Sequence, residues 1–349
     1  MLCSRLLPSL LSRSARELST VPVTRNNPPR CTMAAAMLAR YTSAAPEPQS
    51  LATNQQSAPA HRRVQLDVPT ADMKREFAEQ GFLKVPGVIS REFCAELNER
   101  IDRCFTGRFE TGHYPDEWYW RAEMSLPDVT RHMCNIWKSD RLVASMVLSR
   151  EVARFAAGLM NFDGARIGND SVWVKPPNGT EITFHTDAFY VPYPMITCWL
   201  TLTDVSEANG TLQYIPGSHR WPKTAAIDRD AFHAPTSSYL SPAYEAAHAA
   251  GVDASTIKVE SVELPAGSIV FHHGDMWHGS CKNTTSERWR RSLGIHLIPH
   301  TSRFGQGDGY IYGRYRKAGD DSMDPAFFPI LWSKDGQRSA TIKSHVGYD

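Results

Sequence analysis

From about residue 167 to residue 299 the chain alternates short β-like runs with turn signals, and this cadence constrains the fold more than any other feature. The runs are DSVWVK, ITFHTD, MITCWLTLTDV, GTLQYIP, GSIVFHH and RRSLGIHLIP, separated by PPNG, EANG, PGSH and PAG. Each run reads as a strand, and the intervening Gly, Pro and Asn as turns. Residues 222–256 interrupt the series with a loop and a helix. Ahead of the strands the pattern is helical. TADMKREFAEQG is capped by Thr70 and stopped by Gly81, and FLKVPGVI follows as a brief strand. SREFCAELNERIDRCFTG has Ser90 at its cap, with Phe93, Leu97 and Ile101 recurring every four residues. RLVASMVLSREVARFAAGLM reads as a further helix with one apolar side. Helices followed by many short strands predict a mainly β fold, a barrel or sandwich with a helical flank. No internal repeat is present, and residues 70–349 read as a single domain.

Bulk properties exclude some functions. A composition of 42% hydrophobic and 21% charged residues is that of an ordinary globular chain. A net charge of +1 argues against a nucleic-acid partner, which calls for a basic stripe. No apolar run approaches the roughly 20 residues of a membrane-spanning helix, so membrane insertion is not expected. The charge is uneven, however. Residues 1–46 carry six arginines, no lysine and one acid, Glu17. That composition predicts an organelle transit peptide, mitochondrial by preference and chloroplast as the alternative; if the leader is not a targeting signal, the chain would be cytoplasmic. Residues 47–69 read as a flexible linker. Seven cysteines without a C-x-x-C pair predict neither a zinc knuckle nor a disulfide framework and suit a reducing compartment.

The chemistry concentrates in a few residues. On a strand, His185 and Asp187 point the same way, because alternate side chains share a face. An imidazole and a carboxylate side by side make two-thirds of a facial metal triad, the ligand set of non-haem Fe(II) oxygenases. His272, His273 and His278 are candidates for the third place. Twelve residues past His278, RWRRS offers Arg288, Arg290 and Arg291. A guanidinium there could hold the distal carboxylate of a dicarboxylate cosubstrate, and Ser292, on the face of Arg290, would add a donor.

FHTD, WLTLTDVSEANGTLQYIPGSHR, HGSCKNTTSERWRRS and GFLKVPGVI together resemble the phytanoyl-CoA dioxygenase family of Fe(II)- and 2-oxoglutarate-dependent oxygenases, over roughly residues 71–300. The resemblance implies a double-stranded β-helix (jelly-roll) core with iron at its mouth, and 2-oxoglutarate and O2 as cosubstrates. By position it implies His185, Asp187 and His278 as the iron ligands. It implies Arg290 as partner of the 2-oxoglutarate carboxylate, with Arg291 the rival, and Trp199, Ser280 and Ser171 as further cosubstrate contacts. The implied reaction is hydroxylation of a small organic substrate with release of succinate and CO2. The carboxylate of Asp187 favours hydroxylation, since related halogenases replace it with a small residue. A lysine that contacts the cosubstrate in phytanoyl-CoA hydroxylases has no counterpart around RHMCNIWK, which weakens transfer of the acyl-CoA substrate.

On this reading His219, His272, His273, His296 and His300 are packing residues. Trp118, Tyr119 and Trp120 line either a substrate mouth or the core. Residues 108–125, 222–256 and the tail MDPAFFPILWSKDG are expected to shape the pocket. Two alternatives remain: a silent relative acting as a binding protein, and a cupin-type hydrolase or isomerase with Zn or Mn. The latter would not need the arginine.

Overall fold

Thr70 and Ser90 start the two helices that their positions promise. Their hydroxyls accept from the amides of Met73 and Phe93, satisfying donors that a first helical turn leaves open. These contacts belong to a computed structural model that describes residues 60–191, 193–223, 238–305 and 313–346. The leader, most of the linker and part of the 222–256 insertion lie outside the described residues, all of which fall in one unit of the chain, Gln55–Asp349. Helix α1 (Ala71–Gln80) stops at Gly81, whose φ of +83° is left-handed and whose amide returns to the Phe77 carbonyl. Helix α2 (Arg91–Phe105) buries Phe93, Leu97 and Ile101 as the four-residue repeat requires.

The run RLVASMVLSREVARFAAGLM does not form one helix. It splits into α3 (Arg141–Val147) and α4 (Arg150–Met160), because the Ser149 hydroxyl accepts from the Val152 amide and starts a new turn. A serine that satisfies an amide locally competes with helix continuation.

All six β-like runs form strands. After β1 (Phe82–Val85), β2 (Glu117–Trp118) and β3 (Arg131–Cys134) come β4 (Gly164–Lys175), β5 (Ile182–His185), β6 (Ile196–Thr201) and β7 (Leu212–Tyr214). They are followed by β8 (Glu260–Ser261), β9 (Ile269–His273), β10 (His278–Ser280), β11 (Arg290–Pro299) and β12 (Ile330–Ser333). One antiparallel sheet runs β1–β9–β6–β11–β4–β3–β2, with β12 also on β4; the other runs β5–β10–β7–β8. From β4 to β11 the chain passes back and forth between the sheets, which is the winding of a double-stranded β-helix.

Alternation along the strands sorts the residues. Leu293, Ile295 and Leu297 of β11 join Phe93, Leu97, Ile101 and Phe155 in the core under the helices. On the opposite faces Phe82, Trp199, Tyr214 and Val270 form a second cluster, in which Phe82 stacks on Tyr214 at 4.7 Å. Helix α5 (Ser241–Ala249) packs Ala243 and Ala246 against Phe184. The tail MDPAFFPILWSKDG supplies no residue to the lining of the cavity described below; it builds the sheet instead. β3 pairs with β4 over Ser171–Val174 only, and β12 pairs with Gly164–Arg166, covering an edge that would otherwise be open. A final helix, α6, spans Thr341–Val346. Among the described residues no helix is long and apolar enough to cross a membrane.

Candidate active site

Two strand ends and a turn bring three ligand-capable groups together. His185 ends β5, His278 opens β10, and the two face each other as register partners. Asp187 is not on the strand; it begins a 3₁₀ turn, Asp187–Tyr190. The same-face argument from strand alternation therefore fails for Asp187, and the turn rather than the pleat delivers its carboxylate. Asp187 Oδ1 lies 3.7 Å from His185 Nε2 and 3.7 Å from His278 Nε2. Ligand atoms of the three residues all fall within 4.8 Å of one another. Such separations suit donors sharing one first-row metal ion at bond lengths of about 2.1 Å.

Hydrogen bonds set the protonation of this group. Nδ1 of His185 donates to the Thr183 carbonyl (2.8 Å) and Nδ1 of His278 to the Met276 carbonyl (2.9 Å), which in the neutral form of each ring puts the lone pair on Nε2. Burial, reinforced by His278, pushes His185 down to about 3 and keeps its ring neutral. Burial opposes the charge on Asp187, yet His278, the hydrogen bond from His272 and the nearby His296 hold its carboxyl well below the usual range. Neutral imidazoles and an ionised carboxylate are the forms that bind metal.

His272 and His296 are not mere packing residues, and here the sequence reading needs correcting. In the first sheet His272 pairs with Thr197, and Thr197 with His296, so the three stand in a row across β9, β6 and β11. Asp187 Oδ2 accepts from the Thr197 hydroxyl (2.5 Å) and from His272 Nε2 (3.0 Å). Tyr214 Oη donates to His272 Nδ1 (2.8 Å). His296 Nδ1 donates to Thr197 Oγ1 (2.9 Å), and its Nε2 accepts from Ser171 Oγ (3.2 Å), which accepts in turn from Trp173 Nε1 (3.2 Å). Every donor in both chains points toward Asp187. Oδ2 is thereby committed, and Oδ1 is the carboxylate oxygen that faces Nε2 of His185 and of His278. The signal was available: His296 lies an even number of residues from Arg290, hence on the same face of β11. His219, by contrast, bonds the Ala78 carbonyl at 3.2 Å, away from this group.

The other end of the same sheet face is cationic. Arg290 is only 2% exposed; its Nε donates to the Gly210 carbonyl (3.1 Å) and Nη1 to Ser292 Oγ (2.9 Å). Burial lowers its guanidinium to about 10. Ser292 does not line the cavity; its hydroxyl holds Arg290 instead. Arg291 projects to the opposite face, where Nη2 bonds Asp102 Oδ1 at 2.5 Å. The register in this stretch thus selects Arg290. Its cross-strand neighbour on β4 is Lys175, also fully buried, which the sequence reading passed over. Among the described residues neither cation forms an ion pair.

A cavity of about 720 Å³ connects the two ends. His185, Asp187, His278, Arg290, Trp199, Ser280 and Ser171 all line it. The Trp199 ring lies 5.9 Å from the Arg290 guanidinium, and Ser171 stands midway along the wall opposite Gly294. A Cβ at Gly294 would sit 3.1 Å from Ser171 Oγ and 3.4 Å from His296 Nε2, so a bare backbone keeps this floor open. Of the aromatic trio only Tyr119 reaches the cavity; Trp120 is buried against Phe105, and Trp118 packs on Phe109.

A jelly roll with two histidines and a carboxylate at its mouth, and a buried arginine farther along the same cavity, has the architecture of the 2-oxoglutarate-dependent oxygenases. Comparison with known proteins narrows this class. Residues 77–292 match the family model for phytanoyl-CoA dioxygenase (PhyH), and the chain belongs to that family. Among curated relatives, the "Probable alpha-ketoglutarate-dependent hypophosphite dioxygenase" of Stutzerimonas stutzeri is 22% identical over 63% of this chain and 76% of its own length. Ectoine dioxygenase of Stutzerimonas stutzeri (strain A1501) is 25% identical over 62% of this chain and 72% of its own. In structure, the alpha-ketoglutarate-dependent carbocyclase SnoK from nogalamycin biosynthesis superposes with a TM-score of 0.57 at 22% identity, covering 75% of this chain and 96% of that one. Its likeness confirms the fold.

Proposed function

We propose that this Fe(II)- and 2-oxoglutarate-dependent dioxygenase hydroxylates a small organic molecule, with His185, Asp187 and His278 holding the iron and Arg290 the distal carboxylate of 2-oxoglutarate. The observation that carries this reading is the pairing, within one cavity, of a ligand-ready His-Asp-His group with a buried guanidinium, Arg290, that has no described counter-ion. Two imidazole nitrogens and one carboxylate oxygen gathered at one point fit a metal that must keep positions open for its cosubstrates. Buried cations without carboxylates fit a dianion that brings its own.

Iron, when bound, supplies the activation of O2 that couples oxidative decarboxylation of 2-oxoglutarate, to succinate and CO2, with oxidation of the substrate. The chain contributes the rest. Asp187 is held in one rotamer by Thr197 and His272 and offers a single oxygen. Arg290 orients the cosubstrate from the far end, with Trp199 and Ser280 beside it. Apart from the iron and cosubstrate residues, the cavity walls include apolar Ile182, Val191, Met195 and Trp173 beside polar Thr130, His132 and Asn169, with Asp128 exposed at the rim. They suit a largely apolar substrate with a neutral polar head.

Anaerobic addition of Fe(II) and 2-oxoglutarate is expected to produce a visible charge-transfer band. Aerobic screening of such metabolites should find compounds that stimulate succinate release. A fully metallated protein whose spectrum ignores 2-oxoglutarate would contradict the proposal, and the cupin-type hydrolase would then be the better reading.

The hydrogen bonds to Asp187 have a measurable consequence. Thr197→Val deletes one of two donors to Oδ2 and strands the His296 Nδ1 proton. Loss of an outer-sphere partner weakens metal binding by about 10- to 100-fold. Competition with a chromophoric chelator measures this, and unchanged iron affinity would show that the row across β9, β6 and β11 does not tune Asp187.

A further inference from the structure

Lys175 closes β4 in a setting shaped for its side chain. A Cβ on Gly179 would stand 2.7 Å from its Cγ and one on Gly210 2.7 Å from its Cδ, so two glycines form the groove its stem occupies. Arg290 is its register partner across β4 and β11. Two cations side by side in the interior repel each other, and burial together with Arg290 presses the Lys175 ammonium well below its usual range. Cys281 and Glu181 are the groups that favour its charge. The ammonium donates to Ser280 Oγ at 2.8 Å and to the Cys281 carbonyl at 2.5 Å.

In the bond from Lys175 Nζ the Ser280 hydroxyl is the acceptor, which leaves its own hydrogen to point elsewhere. No described group accepts that hydrogen. Ser280 lines the same cavity as Arg290, whereas Lys175 lies behind it.

We propose that Lys175 is a positioning residue for the cosubstrate: it holds Ser280 as a donor toward the carboxylate that Arg290 pairs with, and adds a second positive charge beneath that carboxylate. The assignment rests on the 2-oxoglutarate reading above. It explains why a lysine is buried where its own neighbour repels it, since the arriving carboxylate supplies the missing negative charge. It also makes the far end of the cavity selective for a dicarboxylate over a monocarboxylic 2-oxo acid.

The test compares 2-oxoglutarate with 2-oxopentanoate, which lacks the distal carboxylate, in anaerobic titrations of the Fe(II)-loaded protein followed by the charge-transfer band. Lys175→Met is expected to weaken 2-oxoglutarate binding by at least about tenfold, as loss of a charged hydrogen-bonding group does, and to leave 2-oxopentanoate within roughly twofold. Equal weakening of both acids, the result of a merely structural lysine, overturns the assignment; so does no weakening of either. Lys175→Gln is read by the same criteria if the methionine variant does not fold. Arg290→Met serves as the reference. If it loses 2-oxoglutarate selectively while Lys175→Met does not, the lysine proposal alone fails. If Arg290→Met also binds 2-oxoglutarate normally, the underlying reading fails with it.

Discussion

His185→Ala, loaded anaerobically with Fe(II) and 2-oxoglutarate, shows no visible charge-transfer band, whereas the unaltered protein does. The expected loss is complete because nothing nearby can replace the missing nitrogen. His272 lies beside Asp187, but its Nε2 carries a proton donated to Oδ2 and its Nδ1 accepts from Tyr214. His296 is committed to Thr197 and Ser171. Removing His185 leaves two donors for an ion that needs three from the protein. His272→Ala is the control: it removes a hydrogen bond to Asp187 rather than a ligand, so the band survives at higher iron concentration. A normal band in His185→Ala would refute the ligand assignment, and a band lost in His272→Ala but kept in His185→Ala would exchange the two histidines.

The second large effect separates two adjacent arginines. Arg290→Met removes the guanidinium aimed into the cavity, and 2-oxoglutarate affinity is expected to fall about 100-fold, equivalent to roughly 3 kcal/mol for a buried charged pair. The stabilisation that bound 2-oxoglutarate provides, about 2.7 kcal/mol at a hundredfold excess over the unaltered protein's Kd, falls to about 0.4 kcal/mol at the same concentration in thermal unfolding measurements. Arg291→Ala acts on the other side of the sheet. Its partner Asp102 is 53% exposed, and an exposed pair of this kind contributes at most about 1 kcal/mol. The 2-oxoglutarate requirement of this variant therefore stays within roughly twofold. The reverse ranking would mean that β11 is out of register by one residue, which exchanges its two faces.

Much of this was legible in the chain. Local rules hold where the physics is local: Thr70, Ser90 and Gly81 bound their helices because capping involves atoms three or four residues apart. The six strands could be read because turn chemistry punctuates them. Ser149 shows the limit, since an apolar repeat that looked continuous was divided by a single hydroxyl. The site divided in the same way. His185, Asp187, His278 and Arg290 stood out through spacing and resemblance. Thr197, His272, His296 and Lys175 did not, because their roles depend on which strands are neighbours. Cross-strand register joins residues as far apart as Thr197 and His272, and no local pattern encodes it.

The amino-acid sequence by itself determined the classes of element and the family of oxygenases to which this chain belongs, because periodicity, caps and ligand types are written within a few residues of each other. Only the tertiary structure decided that a turn rather than a pleat aims the carboxylate of Asp187, that two more histidines point their protons toward it, and that Arg290 rather than Arg291 enters the cavity with Lys175 behind. The reason is physical: these are outcomes of sheet closure and strand register, which are fixed by contacts between segments a hundred residues apart.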